Sequence, residues 1–339
     1  MKKFKISPYF TIILTFLAVI LIGSILLVLP ISTTAKHINY IDALFMSTSS
    51  VCVTGLNVVS NIATDFTIFG QVVIMLLMFI GGLGILTLST FFLMILGAKF
   101  GVTDRFLMKE AWNADSTKGI VKHIRNIVLF SVGVQLLGTI INYFIIREIV
   151  PNNSFWVAMF QSVSAFNNVG FDILGNSNSL IEYSGNVALN ISTMLLIIIG
   201  GLGFVTIFDI FKNHSWKKIT ITSKIVLIVV PTLIVVGMLL IKIADYNNIT
   251  WLQALFTSVA SRTAGFTTVD LSTISTASVI VILILMYIGG APCSVAGGIK
   301  VTTFMVLLVG TFNFAVGKQP VVFKRTISEK TIKKAFSLF

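Results

Sequence analysis

Six apolar runs, each of the length that crosses a bilayer, constrain this chain more than any other feature. They cover residues 9–29, 68–97, 124–146, 186–210, 221–241, and 276–290 continuing into 301–316. A spanning helix needs about 20 apolar residues. Lipid offers no hydrogen bonds, so each backbone group in a span must be satisfied within the protein, which favours helices. Charged residues make up only 11% of the chain, against about 25% in a soluble domain. The first run follows lysines, as a signal peptide does. It is longer than the usual core of about 7–15 residues, and no small-residue cleavage site follows it, so it reads as a retained helix.

The formal net charge of +12 raises the question of nucleic acid. The charge is divided by the spans. Lys2, Lys3 and Lys5 precede the first. Lys99, Arg105, Lys109, Lys118, Lys122 and Arg125 lie between the second and third, and Lys212, Lys217, Lys218 and Lys224 between the fourth and fifth. Lys318, Lys324, Arg325, Lys330, Lys333 and Lys334 follow the sixth. The intervening loops carry only Lys36, Arg147, Lys242 and Arg262. This is the positive-inside pattern of a multi-pass cell-membrane protein with both termini cytoplasmic. It argues for lipid rather than nucleic acid as the partner of the charge.

Nothing points to an enzyme. Cys52 and Cys293 sit in different segments, His37, His123 and His214 in three different loops. No metal-ligand spacing and no nucleophile–base pattern joins them.

The chain repeats itself. Gly55, Gly170 and Gly265 occupy matching loops, 115 and 95 residues apart. Before each loop runs a short amphipathic stretch, residues 40–49, 154–166 and 250–260, with Phe45, Phe160 or Phe256 at a matching place. After each comes a span containing Ile-Gly-Gly, at Ile80, Ile199 and Ile288. The short stretches cannot cross a bilayer and read as re-entrant half-helices. The glycine loops then lie at membrane depth, where carbonyls can replace the water around a dehydrated cation. The sixth span holds Gly289, Gly290, Pro292, Gly297 and Gly298. These breakers forbid a regular helix. Either two elements meet there at a tight turn, or an unwound loop lines a pathway.

Val53-Thr54-Gly55-Leu56, Asn167-Asn168-Val169-Gly170-Phe171, Arg262-Thr263-Ala264-Gly265-Phe266 and the run from Gly289 to Lys300 together resemble the Trk/Ktr/HKT potassium transporter superfamily, and within it the KtrB-type membrane subunit of bacterial Ktr systems. The likeness covers essentially the whole chain. Its departures are mild: Val169 where the family usually has Ala, Ala291 where it often has Ser, and Cys293 where it often has Gly.

The resemblance implies an all-α membrane fold of span–pore helix–filter loop–span units around one ion path with pseudo-fourfold symmetry. The units here would be 1–97, 123–211 and 212–316, with a cytoplasmic link over 98–122 and a basic cytoplasmic tail over 317–339. It implies potassium uptake, with sodium coupling or dependence open. Ion-binding carbonyls would belong to Val53, Thr54, Asn168, Val169, Thr263 and Ala264, beside Gly55, Gly170 and Gly265. In the family a glycine in the first loop goes with potassium and a serine with sodium. It implies a gate over 289–300, formed by Gly289, Gly290, Pro292, Ser294, Gly297 and Gly298, with Lys300 at its cytoplasmic end. It implies a homodimer, a KtrA-like cytosolic ring that binds nucleotide, and no cofactor beyond the transported ion.

Several residues keep two readings. Glycines 81–84 and 200–203 suit hinges or close helix packing. Arg262 suits the ion mouth or a brace for the loop, and Asn167 and Asn168 suit the path or a brace. Asp42, Asp65, Asp172, Glu182, Asp245 and Asp270 concentrate cations or are merely solvated. A fourth filter glycine is expected roughly 95–115 residues past Gly265, beyond Phe339. On that count a quarter of the pore lies outside this chain. The chain alone is expected to be impaired, or to serve as a non-conducting assembly or inhibitory subunit.

Overall fold

The computed structural model describes residues 8–34, 38–96, 101, 120–174, 178–323 and 325–338. The lysines before the first span and most of the link over 98–122 fall outside these residues.

The same succession occurs three times. In the first, helix α1 (Pro8–Val28) leads to the half-helix α2 (Tyr40–Val51), a loop, a short turn of helix α3 (Ile62–Asp65), and the helices α4 (Ile68–Leu83) and α5 (Ile85–Ile95). In the second, α6 (Ile120–Ile146) leads to the half-helix α7 (Ser154–Phe166), then α8 (Val187–Gly201) and α9 (Phe204–Asn213). In the third, α10 (Ile221–Ala244) leads to the half-helix α11 (Trp251–Ala260), then α12 (Thr276–Tyr287) and α13 (Val301–Ala315).

By length and composition, three described helices suffice to cross a membrane, or five if each bent pair counts as one. The second and fourth apolar runs, each expected to be one span, are pairs bent by 101° and 89°. The breaks fall at Gly84 (φ 83°) and Gly203 (φ 81°), in the left-handed region that a regular helix excludes. Gly81 and Gly200 have the other role. A Cβ on Gly81 would sit 2.2 Å from the Val51 carbonyl oxygen, and one on Gly200 would sit 2.0 Å from that of Phe166. Close packing holds at the first glycine of each group, which admits the end of a half-helix, and the last glycine breaks the helix.

Local chemistry sets where the helices start. Thr67, Asn186, Thr220, Thr250 and Ser275 each accept a backbone N–H of the first turn through the side chain, and Thr250 forms a capping box with Gln253. Each half-helix then leans on the long helix before it. Ser47 donates to the Ile20 carbonyl and Ser258 to the Ile234 carbonyl. The approach is allowed because Gly23 and Gly237 stand opposite: a Cβ on either would lie 2.5 Å from the serine Oγ. Small residues and interhelical hydrogen bonds hold helices together where lipid supplies no hydrophobic drive.

Successive units join through the later helices of one and the half-helix of the next, α4 with α7 and α8 with α11. Trp156 donates to Gln71 at 2.6 Å across the first of these joints. Beyond the second and third glycine loops the Leu180 amide donates to the Thr267 carbonyl, and the Thr267 amide to Ser179.

The tail carries structure of its own. A two-stranded hairpin, β1 (Val321–Val322) with β2 (Arg325–Thr326), leads to helix α14 (Glu329–Leu338), which packs on α13 and buries Ile332 and Ala335. Of the matched phenylalanines, Phe160 and Phe256 are fully buried, but Phe45 is 40% exposed. The first half-helix thus has an uncovered side.

Candidate functional site

Each half-helix ends in a loop with the same backbone. Val53, Asn168 and Thr263 have φ of 58°, 56° and 69°, and two residues on, Gly55, Gly170 and Gly265 have 70°, 95° and 80°. The residues between them, Thr54, Val169 and Ala264, are not among the positive-φ positions. In each loop two left-handed residues thus flank one residue outside the left-handed region. β-Branched Val53 and Thr263 are strained in this conformation, by ~1–3 kcal/mol each. Such strain persists only where the surroundings impose it.

The middle amide of each loop is spent on its half-helix. Thr54 donates to the Ser49 carbonyl, Val169 to that of Ser164, and Ala264 to that of Ala260, at 2.9, 3.0 and 2.9 Å. Each half-helix directs its C-terminal end, with its partial negative charge, at its loop. Three helix C-terminal ends facing one place make a setting for positive charge.

The three loops meet. A Cβ on Gly55 would lie 1.9 Å from the Val169 carbonyl oxygen, and one on Gly170 would lie 2.7 Å from Gly265 Cα. Asn168, Val169 and Gly170 are wholly enclosed, Ala264 is buried, Val53, Gly55 and Thr263 are half-buried, and Thr54 and Gly265 are exposed. The exposure comes from a cavity of about 650 Å³ between the first and third loops, walled by Cys52, Thr54, Gly265, Phe16, Ile282 and Met286.

Both asparagines are buried, and one is a brace. Asn167 donates to the Val163 carbonyl at 2.8 Å. Asn168 sits at 1% exposure under the loop, and neither Oδ1 has a partner among the described residues. Arg262 is not at an ion mouth. It is 7% exposed, and its guanidinium donates to the Gly289 carbonyl at 3.2 Å.

The breakers of the sixth span form a closed loop between α12 and α13. Gly289 donates to the Ile299 carbonyl, Gly290 to that of Gly297, and Val301 to that of Gly290. Only glycine fits this neck: a Cβ on Gly289 would lie 1.8 Å from the Gly297 oxygen. The body of the loop rests in the break between α8 and α9. Ala291 donates to the Gly201 carbonyl, Val295 to that of Gly200, and the Phe204 amide to that of Cys293. The groups that the kink at Gly203 leaves without helical partners are thereby satisfied, as membrane depth requires. Pro292 and Ser294 are half-buried, with Ser294 donating to the Ala291 carbonyl. Gly297 and Gly298 are exposed, although a Cβ on Gly298 would lie 2.8 Å from Gly289 Cα, and Lys300 donates to the Ala296 carbonyl at 2.6 Å.

The carboxylates expected on the outer side divide. Asp65 accepts the Asn61 amide, Asp270 the Ser272 amide, and Asp245, 4% exposed, the Ser275 amide together with the Ser275 and Ser278 hydroxyls. These are fastenings. Asp172 follows the second glycine loop directly. Burial pushes its carboxyl up to about 6, against the Leu174 amide, which lowers it, and with a smaller push from Glu182.

The sequence did not reveal the seat formed by Gly200, Gly201 and Phe204. Its signal was present, since Ile-Gly-Gly-Leu-Gly recurs at 80–84 and 199–203, and a final glycine is a common helix terminator. Among the described residues, no group of three His, Cys, Asp or Glu side chains suits a metal ion.

Long apolar helices, short half-helices and three loops of one backbone form that meet mark a helical membrane protein. The TrkH family profile, described as a cation transport protein, matches residues 5–338, and the chain belongs to that family. The chain is 36% identical to the Ktr system potassium uptake protein B of Bacillus subtilis, over 99% of this chain and 78% of that protein. It is 38% identical to the potassium/sodium uptake protein NtpJ of Enterococcus hirae, over 99% and 76%. The crystal structure of the potassium transporter TrkH from Vibrio parahaemolyticus has the same fold, with a TM-score of 0.73 at 20% identity, covering 99% of this chain and 69% of that one.

Proposed function

We propose that this chain forms three walls of a potassium-selective path across the cell membrane. The observation that carries the reading is the shared backbone of the three loops, positive φ at Val53, Asn168 and Thr263 and again two residues on, in loops that touch one another. The carbonyls of Val53, Thr54, Asn168, Val169, Thr263 and Ala264 bind the dehydrated ion, and Gly55, Gly170 and Gly265 let the loops approach. Loop 289–300 is the gate, resting in the Gly203 break and closing the inner half of the path. Gly55 in the first loop favours potassium over sodium. One relative is named for both ions, so coupling or dependence on sodium is part of the test.

The cavity between the first and third loops is the place of a fourth wall of the same kind. Open, it leaves loop backbone and Thr54 facing lipid, and polar groups there cost several kcal/mol each, on the order of 2–7. The ring then closes with about fourfold symmetry. The basic inner surface, including the tail, is the face for anionic lipid and for a cytosolic nucleotide-binding ring, in a homodimer with both termini inside.

The open cavity also favours a second reading, in which this chain is a non-conducting assembly or inhibitory subunit. Rubidium uptake, with and without sodium, in cells lacking their own potassium systems tests both. Uptake restored by residues 1–339 alone removes the need for a fourth wall. Uptake only when a fourth unit is supplied supports the first reading, and reduced uptake on co-expression with a full-length relative supports the second.

A further inference from the structure

Arg262 is a buried cation with an incomplete set of partners. Its terminal nitrogen reaches the Gly289 carbonyl, while its Nε has no partner among the described residues. A guanidinium is costly to bury without matching acceptors. Its neighbour Thr263 completes the pattern, because the Thr263 Oγ1 accepts the Gly297 amide at 3.0 Å. Gly289 and Gly297 are the two sides of the neck of loop 289–300, and they are themselves joined through Gly290. Two consecutive residues of the third filter loop thus hold both sides of the neck. Thr263 does so from a strained left-handed backbone (φ 69°) that belongs to the carbonyl array.

We infer that Arg262 is a positioning residue which, with Thr263, pins the neck of the intramembrane loop to the third filter loop and so ties release of the loop to the shape of the filter. The consequence for transport rests on the gating role proposed above; the pin itself is a separate, testable contact. A third filter loop relaxed by loss of its ion turns Thr263 and slackens one side of the neck. A filled filter holds both sides.

The test needs no transport. In full-length chain in membranes, with Cys52 replaced by Ser, a cytoplasmic-side impermeant thiol reagent reports exposure of the native Cys293. Arg262→Gln is expected to speed its modification about ten-fold, the order for losing one charge-assisted hydrogen bond, and Arg262→Lys to restore part of the protection. Amide exchange separates the pin from general loosening: Ala291 and Val295 exchange faster, while Leu180, on the outer side, does not. Where Arg262→Gln does not reach the membrane, Thr263→Val removes the other fastening and leaves the backbone carbonyl in place. Unchanged Cys293 modification in every variant that reaches the membrane, or equal loosening at Leu180, overturns the inference. Lost uptake with an intact pin counts against the gate and leaves the pin standing.

Discussion

The carbonyl oxygen of Val169 occupies the space that a side chain on Gly55 would need, 1.9 Å from where its Cβ would stand. Two loops 115 residues apart in sequence meet there, backbone against backbone. Gly55→Ala and Gly170→Ala are therefore expected to abolish ion uptake in the complete assembly. Gly133→Ala, on a helical site with nothing within 4 Å, is the control and should gain about 0.5–1 kcal/mol of helix stability. Rubidium uptake set beside membrane expression checks the pair. Uptake retained by either filter variant would remove the close approach from the mechanism.

Cys293 holds φ 54° at the turn of the intramembrane loop. A side chain there costs roughly 1–2 kcal/mol that glycine does not bear. Cys293→Gly should favour the seated loop. Slower exchange at the Ala291 and Val295 amides, and a lower maximal uptake rate at unchanged expression, are the expected results. Faster uptake would mean that the strain is not released by unseating.

Asp172 gives a pH dependence with a definite sign. Its folded-state value of about 6 lies above the ordinary carboxylate range, mainly through burial. On the ion path proposed above, the group is charged above pH 6 next to the second loop and is expected to attract cations, an attraction that fades below that pH. Uptake should fall as the external pH drops through 6, and Asp172→Asn should flatten that profile. The stability effect runs the other way. A raised carboxyl value means the folded state holds the proton longer, so stability declines as pH rises from about 4 to 6. Asp172→Asn should therefore melt higher than the parent at neutral pH. A melting point that does not change would place the burial elsewhere.

Asp245 ties the end of α10 to the start of α12 through the Ser275 amide and the Ser275 and Ser278 hydroxyls. Removing a buried charged acceptor costs about 1.5–3 kcal/mol per bond lost. Asp245→Ala should lower the melting point of the detergent-solubilised protein and reduce expression. Ser275→Ala should do so less, because the backbone amide of residue 275 still donates.

The features legible in the sequence were those set by period and residue type. Gly55, Gly170 and Gly265 stood out because their loops demand a conformation other residues resist, and the half-helices because their length cannot match a bilayer. The bends at Gly84 and Gly203 were harder to read. Apolar residues continue through both, so hydropathy runs on where the helix axis turns. Arg262 was read by its place in a loop between spans; the partner that buries it, Gly289, comes from a segment 27 residues on, and nothing local signals that approach. Phe45 matches Phe160 and Phe256 in sequence but not in burial, since burial depends on which neighbour covers a face.

The seat of loop 289–300 carries one more consequence. The carbonyls of Gly200 and Gly201 and the amide of Phe204 are satisfied by the loop, and the loop by them. Parting the two breaks all three bonds at once, and each polar group then needs a new partner. Water is the ready substitute in a polar cavity. On the gating role proposed above, opening and wetting are therefore expected as a single event, and the humidity around the loop, more than its stiffness, is expected to set how often it leaves its seat.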